Sequence, residues 1–138
     1  SRITQADQVE IFESIMGDFK GRVTTGLVFG NHYLKDNRIL PRGFDKETAD
    51  ASIAVVGDAR ADARFTAGAA TTGYSMPVPA GHGPLRVSAE LLYESIGYRW
   101  AHNLEAYNAF EPKRFLGYYQ AQSARLAKPV AGASASLP

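Results

Sequence analysis

The chain has 138 residues, enough for one domain with a real core, and its composition of 45% apolar and 21% charged residues is that of an ordinary globular protein. A net charge of +1, without any run of five or more like charges, gives no field that favours nucleic acid or an anionic membrane surface. The absence of cysteine excludes disulfides, thiolate metal sites, cysteine nucleophiles and CxxCH haem attachment within this sequence, and no apolar run approaches the roughly 18 residues of a membrane-spanning helix.

Ser1-Arg2-Ile3 lacks a methionine, which leads us to expect a processed form or a piece of a longer protein. Residues 8–16 (QVEIFESIM) read as a strand with apolar groups on both faces. Residues 17–21 (GDFKG) supply a turn, and residues 23–34 return as a second strand interrupted by Gly26 and Gly30. The two form an expected antiparallel pair. Residues 35–50 are a long irregular connection, with Asp45 placed to cap a helical turn. Residues 53–56 are a short strand candidate, and residues 57–73 a loop, or a loop with a short strand around its one large anchor, Phe65. Tyr74, Met76 and Val78 alternate with Ser75, Pro77 and Pro79, a pattern that fits only an edge strand. Residues 80–84 then read as a hairpin loop, from which the next strand returns against the edge strand.

That next strand is the clearest in the chain. Leu85, Val87, Ala89, Leu91 and Tyr93 are apolar or small, and Arg86, Ser88 and Glu90 lie between them, the period of a strand with one buried face. Beyond Gly97 the pattern breaks into a loop decorated with aromatic and cationic groups. Residues 111–127 change to helical spacing. Pro112 suits a first turn, Phe115, Tyr119 and Leu126 share a face, and the internal Gly117 costs about 1 kcal/mol. Residues 128–138 are small, polar and proline-bearing, and read as a flexible tail or linker. The expected fold is therefore mainly β. It is an antiparallel β-sandwich, immunoglobulin-like or jelly-roll, over residues 1–127, with a C-terminal α-helix.

Candidate chemistry is sparse. His32, His82 and His102 show no HxH or HxxxH spacing, so no metal site is expected. Asp36, Asp45, Asp50, Asp58 and Asp62 fall in loops. They are set either to cap turns or to bind calcium, but no DxDxDG run is present. No serine lies in a GxSxG elbow, and no glycine-rich piece has the context of a phosphate loop. The one concentration is Tyr98, Arg99, Trp100, His102 and Tyr107, followed by Phe110, Arg114, Phe115, Tyr118 and Tyr119. Aromatic rings with arginine stack on sugars, bases, peptides or haem edges. The same rings also serve to pin a helix onto a sheet.

Residues 33–45 (YLKDNRILPRGFD), residues 89–103 (AELLYESIGYRWAHN) and residues 111–115 (EPKRF) resemble the C-terminal region of large bacterial multihaem c-type cytochrome-like proteins. The likeness covers residues 9–126. It implies a β-rich accessory domain, periplasmic or extracellular, beside a haem-bearing module of the same or another chain. It supplies no catalytic residue to transfer, and without CxxCH no cofactor is expected in this chain. The leading expectation is a non-catalytic interaction domain that uses Tyr98, Arg99, Trp100, His102 and Tyr107 as its contact surface. The alternative is a carbohydrate- or other small-ligand-binding sandwich with Trp100, Tyr98 and Tyr107 as stacking platforms. Enzymatic activity finds no support in these residues.

Overall fold

The structure is a computed structural model and describes residues 2–78, 80–81 and 83–137. The chain divides into two compact units, Ser1–Pro77 and Val78–Pro138.

The first unit holds six short strands: β1 (Arg2–Ile3), β2 (Ser14–Gly17), β3 (His32–Asp36), β4 (Phe65–Thr66), β5 (Ala69–Ala70) and β6 (Gly73–Tyr74). They pair two by two: β1 with β6 in parallel, and β2 with β3 and β4 with β5 antiparallel. The expected antiparallel pair is present, but it is shorter than the sequence pattern. Residues 8–13 run without a ladder. Their apolar groups do not all find a core, and Val9 stays exposed. The side chain of Asn37 binds this segment in place of a neighbouring strand. On the return, residues 26–30 form a turn in which the N–H groups of Phe29 and Gly30 both donate to the Gly26 carbonyl. Leu27, Val28 and Phe29 are left in solvent, so the second strand begins only at His32.

The turn at residues 17–21 is closed as expected. Gly21 has φ 73°, and the Asp18 carboxylate accepts from the N–H groups of Lys20 and Arg22. Asp45 accepts from Glu47 N–H and Thr48 Oγ1 but caps a turn only, because no helix follows. Val56 meets Asp36 through a single bridge. The core of this unit is small: Leu40, Val55 and Phe65, with Phe12, Phe44, Ala59 and Ala70 packed against them. Phe65, the one large anchor expected in residues 57–73, is thus a core residue.

The second unit contains β7 (Leu85–Tyr93), α1 (Tyr98–Asn103), a short 3-10 helix at Leu104–Ala106, α2 (Phe110–Ala121), α3 (Ser123–Leu126) and β8 (Lys128–Leu137). Strand β7 lies where its period-two pattern placed it, but neither of its faces is buried and its partner differs. It pairs antiparallel with β8 from Leu85↔Leu137 to Tyr93↔Lys128, with a register shift between Leu91 and Leu92. Residues 128–137, expected as a tail, are therefore a ten-residue strand. The physical reason is visible in their alternation: Ala131, Ala133 and Ala135 point one way and Gly132, Ser134 and Ser136 the other. Small side chains kept that period from standing out. The expected edge strand at Tyr74–Val78 is reduced to β6. The hairpin loop expected at residues 80–84 includes His82, which lies outside the described residues, as does Pro79.

The late helix is present as α2, with Pro112 in its first turn, and α3 continues it to Leu126. Residues 98–103, read as loop, are helical because Ala101 N–H reaches back to the Gly97 carbonyl and Ala101 is wholly buried. Among the described residues the stacked sheets of a β-sandwich are not confirmed. All four sheets are two-stranded, and no closed barrel occurs among the described residues. The chain is a small mixed assembly of eight short strands with helices.

Candidate partner-contact site

Helices α1 and α2 of the second unit bring part of the aromatic cluster together. Tyr98 and His102 are one turn apart on α1, so their rings share a face. The rings stack with centroids 3.7 Å apart and planes at 29°. His102 Nδ1 lies 2.9 Å from the Tyr98 carbonyl oxygen. A carbonyl only accepts, so Nδ1 carries the proton and the neutral ring presents its lone pair at Nε2. Nε2 is 3.7 Å from Glu105 Oε1, a partner that pairs with the ring when it is protonated. Glu105 follows His102 by three residues, a spacing that becomes meaningful only once this stretch is helical.

Tyr119 of α2 meets the His102 ring edge-on at 6.5 Å and 87°, and Phe115 lies 6.1 Å from Tyr119. Tyr119 is the buried end of this series. Burial pushes its phenol above the usual tyrosine range, and the nearby Glu94 carboxylate adds to the shift. The structural half of the cluster is thus Ala101, His102, Phe115 and Tyr119. The other half faces solvent: Tyr98 is 58% exposed, Trp100 40% and Tyr107 51%. Arg99 is exposed on α1 between them. Along α2, Phe110, Arg114 and Tyr118 recur every fourth residue and form an outward stripe, with the Arg114 guanidinium 5.0 Å from the Phe110 ring centroid. Among the described residues no ring contact joins Trp100 or Tyr107 to the Tyr98–His102 stack.

No family model, no curated protein and no solved structure matches this chain. Its chemistry therefore has to be read from its own residues.

Not all the aspartates expected in loops lie there: Asp36 ends β3 and Asp58 opens a short 3-10 helix. Asp36 holds Arg38, Asp50 holds Ser52 and Asp62 holds Arg64, each two residues on. Among the described residues no group of three or more histidine and carboxylate side chains is gathered as for a metal ion. His32 is paired with neighbouring Asn31. One cleft of the first unit, about 530 Å³, is lined by Arg2, Glu10, Lys35, Asn37 and Asp62 with apolar neighbours; of the residues singled out from sequence it holds Asp58, Asp62 and the anchor Phe65, and none of the aromatic cluster. Its charges are tied to one another: Lys35 Nζ binds Glu13 and the Ile11 carbonyl, and Asn37 donates to Glu10. That is a cross-link between strands and chain, with no nucleophile held beside a base. Among the described residues no helix is long and apolar enough to cross a membrane.

Proposed function

We propose that this chain is a non-catalytic accessory domain of an exported, cytochrome-associated bacterial protein, and that it docks through the outward aromatic face of α1 and α2. The observation that carries the reading is the exposure of Tyr98 and Trp100 on α1, Phe110 and Tyr118 on α2, and Tyr107 in the connection between them. Large rings left in solvent at that density mark a contact surface. The partner, a haem-bearing module of the same or another chain, is taken from the sequence resemblance, as is a periplasmic or extracellular location. In this reading a β-sandwich is completed only in the assembly, where added strands extend the two-stranded ladders of the first unit.

Two measurements test it. Reading the gene upstream of the Ser1 codon should reveal several CxxCH motifs; a short frame that encodes only a leader there refutes the cytochrome association. Trp100 is the single tryptophan, so its emission reports on this surface alone. Titration with the upstream haem-bearing polypeptide should quench it, and Tyr107→Ala with Phe110→Ala should weaken binding at least tenfold, as loss of interface aromatics does. Unchanged emission at saturating partner removes the proposal. Exposure of Trp100 and Tyr107 also suits a sugar-stacking surface, but one face of Tyr98 is already covered by His102, which leaves a single free face on that ring.

A further inference from the structure

Strand β7 has one neighbour, β8, among the described residues, so its second edge presents a row of backbone N–H and C=O groups without a ladder. Natural sheet edges are usually blunted by proline, lysine or a bulge. Residues 85–91 contain no proline and no lysine, and the ladder stays regular until the shift after Leu91. The midpoint of this regular stretch is Ser88.

We propose that this edge pairs with the same edge of a second copy of the chain, antiparallel about a two-fold axis through Ser88, to give a four-stranded sheet ordered β8–β7–β7–β8. The sequence LRVSAEL is complementary to its own reverse. Centred on Ser88, Leu85 faces Leu91 of the other copy, Arg86 faces Glu90, and Val87 faces Ala89. The two-fold axis doubles each pairing, so two Arg–Glu pairs form on one face and an unbroken apolar row on the other. Among the described residues neither Arg86 nor Glu90 is engaged in an ion pair within the chain.

The charges also fix the register. Moving the centre to Arg86 or to Glu90 sets like charges directly opposite each other, and moving it to Val87 or Ala89 leaves both charges without an opposite partner.

The inference stands apart from the docking of a haem-bearing module, which uses other elements. It is tested on the chain alone by sedimentation and light scattering. The expected result is a species of twice the 14.9 kDa chain mass. Arg86→Glu and Glu90→Arg should each weaken self-association about tenfold or more, because two attractive pairs become two repulsive ones. The double swap R86E/E90R should restore it. An equimolar mixture of the two single variants should form a heterodimer, since one then carries only Glu and the other only Arg at both positions. These side chains are exposed, and circular dichroism of each variant checks that it is folded. A monomer at about 100 μM, a dimer indifferent to the single swaps, or a double swap that fails to recover overturns the proposal; typical specific interfaces would be populated at that concentration.

Discussion

Asn37 is where the first unit is most exposed to a single change. It is 4% accessible, and its side chain makes three hydrogen bonds to a segment that has no strand neighbour of its own. Oδ1 accepts from Glu13 N–H at 2.9 Å. Nδ2 donates to Glu10 Oε1 and to the Ile11 carbonyl, both at 3.1 Å. Asn37→Ala removes all three, takes the side-chain partner from Glu13 N–H, and leaves the Ile11 carbonyl with Lys35 Nζ alone. At about 1 kcal/mol for each bond, with the carboxylate bond discounted to the same value because Glu10 is only half-buried, the loss is about 3 kcal/mol. For a unit of this size that lowers the melting temperature by about 12–24 °C and the urea midpoint by about 1–3 M. Thermal and urea unfolding followed by circular dichroism measure both. N37D keeps the acceptor for Glu13 N–H but sets a second carboxylate against Glu10. It should be less stable than N37A at neutral pH and regain stability as the pH falls through the carboxylate range. A loss below about 0.5 kcal/mol for N37A, the scale of an ordinary surface substitution, would refute the claim that this amide holds the segment.

Three further outcomes are expected. The N–H of Arg22, with its guanidinium and the N–H of Lys20, holds Asp18 below the usual aspartate range. A carboxyl whose folded value is depressed gives stability that is full above about pH 4 and is lost as the pH falls through the folded value, so D18N should flatten the acid limb of a midpoint-versus-pH curve. Tyr119 has the opposite sense, because burial, then Glu94, raises its phenol in the folded state. Stability should fall as the pH rises past about 10, where the unfolded phenol ionises first, and Y119F should delay that fall in an alkaline unfolding series. Gly68 has φ 75°, and a Cβ there would lie 2.7 Å from Arg42 Cγ, whereas Gly43, at φ 84°, has open space. Both alanine variants carry the left-handed cost of about 1–2 kcal/mol, but G68A should lose more than G43A; equal losses in urea unfolding would show that Arg42 yields freely.

The parts of the fold legible in sequence were those with a large side chain to mark the period. Strand β7 showed itself through Leu85, Val87, Leu91 and Tyr93, and α2 through Pro112, Phe115 and Tyr119. Strand β8 has the same alternation written in alanine, glycine and serine, whose burial is too small to distinguish a strand from a linker. Residues 8–13 failed in the other direction. They have strand-like side chains, yet what binds them is mainly side chains, the Asn37 amide, Lys35 Nζ and the Tyr74 hydroxyl, and no periodicity reports that. In the candidate site, the rings were visible as a concentration. Their division into a set joined by ring contacts at Tyr98, His102 and Tyr119 and an outward set at Trp100 and Tyr107 needed α1, which the aromatic composition of residues 98–103 concealed.

The second unit shows why its outward surface calls for a partner. Its buried apolar residues are Ala101 and Tyr119, while Val87, Leu91, Leu92 and Leu137 on the ribbon stay accessible. A two-stranded ribbon of this kind is at best marginal in water. Covering one apolar face of β7 returns roughly 1.5–3 kcal/mol for each large aliphatic side chain fully removed from solvent, a substantial part of the 5–15 kcal/mol that stabilises a typical domain. Under the proposed pairing, folding of this unit is linked to association, and its apparent stability should rise with protein concentration as RT ln(1 + L/Kd), where L is the free partner concentration. The same physics accounts for the arrangement of charge on β7. An apolar edge without Arg86 and Glu90 would pair with any strand in any register. With them, pairing in one register is favoured and the adjacent ones are penalised, so the edge gains selectivity from two side chains that do nothing for the isolated ribbon.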